Sequence, residues 1–381
     1  MLWWRRTAPD RADQAEVDRL VESWSRVCES IGLTDDRDTV TGVTHVVPRI
    51  EHVTLGGRCA EHATEERTCG CAPAPTVLSV RLVPGMLVED IRDKGRRIAR
   101  SMGAQSLRVE ARGFTHALVT LLTEDPLDRV LSLPEGPLTG PVLIGTDEQG
   151  QDLTAGPADL GHLAVQGATG SGKSAFLYAL LSQLAARDGV TVTGVDPSGI
   201  LLRPFQGSLL GLSDPEIIAD HVHRLVVEMD QRIKRIPRDR DCLPESEGLR
   251  FLVFEEYPGL LRYLDAADPK IGKRVRALVA RLLAEGRKAG LRVILVAQRA
   301  EAAVIGSTER GQCSTRVSFR VDGPDAVKLL HPDADPDTAA AHASSVPGVA
   351  LVSSPGRPLT RVRAPWIGGY SEYVRRISDA A

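Results

Sequence analysis

A chain of 381 residues is too long for one small domain, and 42% hydrophobic with 25% charged residues excludes a disordered tail or a fibrous repeat. With 47 Lys and Arg against 50 Asp and Glu, the formal charge of −3 excludes a uniformly basic nucleic-acid coat but leaves room for a local basic channel. Aromatics at 4% argue against a base-stacking platform, and no run reaches the ~18 apolar residues of a membrane span.

The first segment, residues 1–43, carries Val17, Leu20, Val21, Trp24, Cys28 and Ile31 at three- and four-residue steps, which predicts an amphipathic helix packed on the next module. In Met1-Leu-Trp-Trp4 the arginines Arg5 and Arg6 follow the apolar residues, the wrong order for a signal peptide. This start offers a surface to a membrane or a partner. Asp35–Asp38 reads as a solvated loop.

The second segment, residues 44–134, is a small α+β module of ββαββ order. Val46–Leu55, Thr76–Val83, Leu107–Ala111 and Ala117–Thr123 read as strands, and Val88–Met102 as a helix closed by Gly103. A polar insertion at 56–72 holds Cys59, His62, Cys69 and Cys71, three sulfurs and one nitrogen, a donor set that suits closed tetrahedral Zn²⁺. Surface thiols or a redox pair are the alternatives. Six cysteines in all are too few for a disulfide scaffold, so a reduced, cytoplasmic protein is expected. Leu133–Pro137 reads as the domain boundary.

The third segment, residues 138–381, alternates short apolar runs with helical patterns, as a mainly parallel α/β sheet does. The strands are Leu163–Gln166, Val190–Val195, Arg250–Phe254, Leu291–Ala297 and Thr315–Val321. Ser213 with Glu216, and Pro215 between them, predicts a capping box at one helix start.

The sharpest motif is Gly167-Ala168-Thr169-Gly170-Ser171-Gly172-Lys173-Ser174, a complete phosphate-loop pattern between a strand and a helix at Ala175–Ala186. Its glycines let backbone N–H groups turn inward on a phosphate, and the helix N-terminus adds positive potential. In such a site Lys173 reaches the β- and γ-phosphates of ATP and Ser174 ligates Mg²⁺. Glu255 and Glu256, at the end of the apolar run Arg250–Phe254, supply a carboxylate for the metal and one for the attacking water. A carboxylate on the metal side is commonly Asp, so Glu255 is the longer variant. Gln298 ends the next run, where an amide can sense the γ-phosphate or the lytic water. Arg262, Arg299, Arg316 and Arg320 are candidates for a cationic finger reaching a neighbouring subunit's nucleotide.

Together these motifs resemble the FtsK/SpoIIIE DNA translocases. The resemblance rests on Leu160–Ser174, Val195-Asp196-Pro197, Val227–Arg232, Glu255–Leu260, Arg287–Arg299 and Thr315–Arg320, with Val80–Gly85 similar to the family's alpha-type module. Two departures are Ser198, where the family has Lys, and Glu255. The resemblance implies a RecA-like P-loop motor, ATP and Mg²⁺ as cofactors, a homohexameric ring and double-stranded DNA in its channel. Neither a membrane-spanning region nor, after Pro365-Trp366, a winged-helix domain is expected, which is similar to actinobacterial conjugal-transfer translocases.

Two basic stretches could line such a channel, one from Arg262 to Arg299 and one over Gln231–Arg240. The competing readings are a protein-translocating secretion ATPase, which shares the core, and a low-turnover NTP-binding assembly protein.

Overall fold

The computed structural model describes residues 11–39, 42–56, 75–134, 138, 140–212, 214–298 and 306–380. The chain divides into two compact units, residues 1–129 with 148–151, and residues 130–147 with 152–381.

In the first unit, helix α1 (Arg11–Ser30) buries Leu20, Trp24 and Cys28 of the expected face together with Val27, while Val21 is exposed. Strands β1 (Asp35–Thr39) and β2 (Gly42–Val46) pair as an antiparallel hairpin. The stretch Asp35–Asp38, expected as a loop, is therefore a strand. It is charged because the ribbon stays in water, where Asp36 pairs with His45 at 2.6 Å.

Strands β3 (Arg49–Thr54) and β4 (Thr76–Arg81) precede helices α2 (Val88–Asp93) and α3 (Gly95–Ser101), and β5 (Ser106–Arg112) and β6 (His116–Leu122) follow. The four strands form an antiparallel sheet in the order β3-β4-β6-β5. One helix was expected over Val88–Met102; the break is Lys94, whose Nζ donates to the carbonyls of Ile31 at 2.7 Å and Gly32 at 3.0 Å. Ile91 and Ile98 still face one core with Trp24, Leu78 and Val119, so α1 and the sheet fold as one body. The Trp24 indole N–H is satisfied by the Pro48 carbonyl at 2.7 Å.

In the second unit, β7 (Leu131–Ser132) is a short strand and β8 (Val142–Asp147) and β9 (Asp152–Ala155) form a hairpin. Strands β10 (Leu163–Gln166), β11 (Val190–Asp196), β12 (Leu209–Leu210), β13 (Leu249–Phe254), β14 (Leu291–Ala297) and β15 (Thr315–Phe319) run parallel. Antiparallel β16 (Val349–Ser353) and β17 (Thr360–Arg363) join them to the hairpin, and β18 (Pro365–Trp366) pairs with β7. Among the described residues the large sheet has ten strands, in the order β12-β11-β13-β14-β10-β15-β16-β17-β8-β9.

Helices cover both faces, which is why every residue of β10 and β14 is buried. On one face lie α4 (Lys173–Ala185) and α11 (Tyr370–Ala380), where Tyr178 stacks on Tyr373 with ring centroids 4.7 Å apart. On the other lie α5 (Pro215–Ile233), α6 (Tyr257–Ala267) and α7 (Pro269–Glu285). Helix α5 is capped by Asp214, whose carboxylate accepts from the Glu216 N–H at 2.9 Å. Ser213, the expected cap, lies outside the described residues. Pro215 occupies the first helical position, which makes its immediate predecessor the cap. Among the described residues no helix is long and apolar enough to cross a membrane.

Candidate nucleotide site

Parallel strands of an α/β sheet present their carboxyl ends to one edge, where ligands bind. Here β10, β13, β14 and β15 deliver the phosphate loop, Glu255–Glu256, Gln298 and Arg320 to that edge. The loop is fastened on both sides, since Gly167 N donates to Ala297 O at 3.3 Å and Ala168 N to Arg320 O at 2.9 Å.

Its glycines are required for different reasons. Gly170 and Gly172 are left-handed, at φ +74° and +101°. A Cβ on Gly172 would stand 2.6 Å from the Gly348 nitrogen. Gly348 N donates in turn to Ser171 O at 2.9 Å, so residues 347–348 lie directly against the phosphate loop. A Cβ on Gly167 would meet Phe319 at 2.7 Å.

Lys173 is buried, its Nζ donating to Ala297 O at 3.0 Å and lying 3.6 Å from a Glu256 carboxylate oxygen. Glu256 caps α6 at φ 45°, ψ 45°, and among the described residues it alone, glycines aside, has positive φ. Strain at one non-glycine position on the edge that carries the phosphate loop is what a functional constraint produces. Its other oxygen accepts the Gln298 N–H at 3.4 Å, so the three residues expected to act together do meet.

Glu255 N is tied to Val195 O at 2.9 Å. Burial pushes its carboxyl up to about 7, and the nearby charges of Asp196 and Glu256 push the same way against Lys173. Asp196 is fully buried and its oxygens are filled by Ser198 N, Ser198 Oγ, Gly199 N and Leu202 N at 2.7–3.0 Å. It therefore shapes a turn and supplies a fixed negative charge. Glu255 is the carboxylate left for a cation, and the Ser174 hydroxyl at the start of α4 is exposed. Hard oxygen donors among crowded anions fit Mg²⁺.

Arg316 sits at the opposite, amino-terminal part of β15, donating to Cys313 O at 3.1 Å and Leu330 O at 3.0 Å. The structure thus does not bring it to its own chain's phosphate loop. Arg320 follows β15 at the loop edge, Arg262 is exposed on α6, and Arg299 lies outside the described residues. Cys59, His62, Cys69 and Cys71 also lie outside them. Two features escaped the sequence reading: the cover formed by residues 347–348, and an apolar cavity of about 270 Å³ between Gly172 and Trp366.

The model of the FtsK/SpoIIIE family matches residues 136–240, a span that contains the phosphate loop and β11. Over that span the chain is similar to the FtsK/SpoIIIE family. The chain is 26% identical over 351 residues to DNA translocase FtsK of Mycobacterium leprae, covering 82% of the chain and 41% of that relative. DNA translocase FtsK 2 of Neisseria meningitidis is 25% identical over 312 residues, covering 71% and 31%. The chain thus spans less than half the length of these relatives.

Among solved structures, the pCW3 conjugation coupling protein TcpA, in monomer form with ATPγS, matches with a TM-score of 0.60 at 15% identity, covering 95% of this chain and 99% of that one. Geobacillus thermodenitrificans EssC (ATPases 2 and 3) matches with a TM-score of 0.54 at 15% identity, covering 66% and 51%. At these identities the likeness is one of fold, a mainly parallel α/β sheet covered by helices.

Proposed function

We propose that this chain is an ATP-driven translocase of double-stranded DNA, acting in conjugative transfer of plasmid or integrative-element DNA. The observation that carries the reading is the convergence of Lys173, Glu256 and Gln298 at the carboxyl edge, with Glu256 strained into place. The loop amides and Lys173 hold the phosphates. Ser174 and Glu255 would hold Mg²⁺, which when bound neutralises phosphate charge. Glu256 orients the attacking water and takes its proton, and Gln298 fixes Glu256 through its backbone N–H. The two FtsK relatives, both named DNA translocases, support DNA as the cargo.

Of the two basic stretches, the one on α7 is largely committed internally. Arg274 pairs with Glu216 and Asp220, Arg276 with Asp265, and Arg281 with Asp230 and Glu285. In the other stretch Lys234, Arg238 and Arg240 are exposed beyond the end of α5. We assign the phosphate-backbone contacts to that loop, repeated around a homohexameric ring.

The test is ATP turnover with and without duplex DNA. Stimulation by DNA should fade between about 50 and 200 mM salt as counterions compete. Lys173→Ala should abolish turnover. Turnover indifferent to DNA but raised by a polypeptide would replace this reading with that of a secretion ATPase.

A further inference from the structure

One end of the small sheet in the first unit combines positive charge with a bare aromatic ring. Register places Arg49 of β3 opposite Arg81 of β4, Arg81 opposite His116 of β6, and His116 opposite Arg112 of β5. Directly paired residues share a face, so these four form one basic rung across all four strands. The three arginines are exposed and His116 is half-buried. Beside the rung, Glu51 lies 2.9 Å from His116 Nε2 and 3.5 Å from an Arg81 nitrogen, and Glu110 stands one rung behind Arg112. Like charges set directly opposite one another repel, so the rung gains from anions laid against its open end.

Just past the rung, the β5–β6 turn carries Phe114, wholly exposed between Gly113 and Thr115. Turn tips favour Gly, Asn, Asp and Ser, and a phenyl ring left in water there contributes no burial to the fold. The tip is nonetheless held in place. Gly113 takes the left-handed φ of +67°, and Leu82 N donates to Thr115 O at 2.8 Å. Leu87, in the loop that leaves β4 past the same end, is exposed too. Its N–H is donated to Asp90 at 2.7 Å, and Glu89 pairs with Arg92 at 3.1 Å.

Apolar side chains set beyond a row of cations suit a membrane interface. The ring and the leucine enter the headgroup–acyl boundary, and the arginines meet anionic headgroups. Aromatic rings concentrate at that level. Duplex DNA offers phosphate charge as well, but it admits a phenyl ring only by unstacking a base step, a penalty that recurs at every step for a protein moving along the helix.

We propose that this end of the small sheet, with Phe114 and Leu87 beyond the rung of Arg49, Arg81 and Arg112, docks the protein on a bilayer surface rich in anionic lipid. The contact is peripheral and reversible, because two apolar side chains and three cations fall far short of a spanning helix.

The experiment is co-sedimentation of the full chain with vesicles of phosphatidylcholine, alone or with about one-third phosphatidylglycerol. Binding should require the anionic lipid and weaken as salt rises from ~0.01 to ~0.15 M, where the screening length falls from ~30 to ~8 Å. Phe114→Ala should weaken it about tenfold, and Phe114→Trp should keep it. Arg81→Gln combined with Arg112→Gln should weaken it about thirtyfold, near fivefold for each charge. None of these side chains is buried, so ATP turnover and the melting temperature of each variant should match the wild type, which separates lost docking from lost fold. Unchanged vesicle binding in Phe114→Ala overturns the docking surface, as does equal binding to neutral vesicles or no binding by the wild type. Duplex-DNA affinity lost in Phe114→Ala with vesicle binding intact overturns it in favour of a nucleic-acid contact.

Discussion

Substituting Gly170 and Gly172 one at a time separates two demands that the phosphate loop makes on its glycines. Both are left-handed, so alanine at either loses about 1–2 kcal/mol to the crowding of Cβ against the following carbonyl. Nothing lies within 4 Å of a Cβ on Gly170, whereas one on Gly172 would stand 2.6 Å from the Gly348 nitrogen and 2.8 Å from its Cα. Those are backbone atoms pinned by the bond to Ser171 O, so no side chain can swing aside. Overpacking of this kind adds about 1–3 kcal/mol, which puts Gly172→Ala at about 2–5 kcal/mol against about 1–2 for Gly170→Ala. In a unit of this size each kcal/mol moves the melting temperature by ~2–4 °C, so Gly172→Ala should melt ~2–12 °C below Gly170→Ala. Thermal melts of the two variants side by side give the answer. Equal melting temperatures would refute the steric argument, and with it the packing of residues 347–348 against the loop.

Glu256→Gly should abolish ATP turnover while raising stability by up to about 1 kcal/mol, since glycine removes the left-handed strain; activity assays and melts on one preparation show both. Glu255 sets a pH dependence. Its folded value of about 7 lies above the ordinary 4.5, so the folded chain binds the extra proton and stability falls as pH rises from about 4.5 through 7. Glu255→Gln should flatten that slope, on the order of 3 kcal/mol in total, and parallel melting curves for the two proteins from pH 5 to 8 would speak against it. Buried Arg232 donates to Ala289 O at 2.6 Å and Glu247 O at 3.3 Å, so Arg232→Met should cost about 2–4 kcal/mol in chemical denaturation through stranded carbonyls, without changing DNA affinity.

The parallel core was legible because its strands are buried on both sides and read as unbroken apolar runs, Leu291–Ala297 above all. The phosphate loop and the Glu255–Glu256 pair were legible because local chemistry fixes their spacing. What escaped was decided by partners distant in the chain. Nothing near Lys94 announces that one helix stops there or that its ammonium bonds the carbonyls of Ile31 and Gly32. Nothing in the run of α7 basics shows which of them meet the acids of α5. Ser213 and Asp214 are equally good capping types, and only the position of Pro215 separates them. Val346–Gly348 and Trp366 carry no motif at all; their positions exist only because β16–β18 return the chain to the phosphate loop.

That return changes how the gene can be cut and recombined. The seam between parallel and antiparallel strands falls at β15 and β16, and residues on both sides of it touch Gly172 or its neighbours. A chimera joined after Arg320 would keep every recognisable nucleotide motif, yet give its phosphate loop a foreign floor. Mutational scans should find positions near 347 and 366 as intolerant as those near 173, and sequence comparisons confined to the motif region will misjudge which homologues can exchange halves.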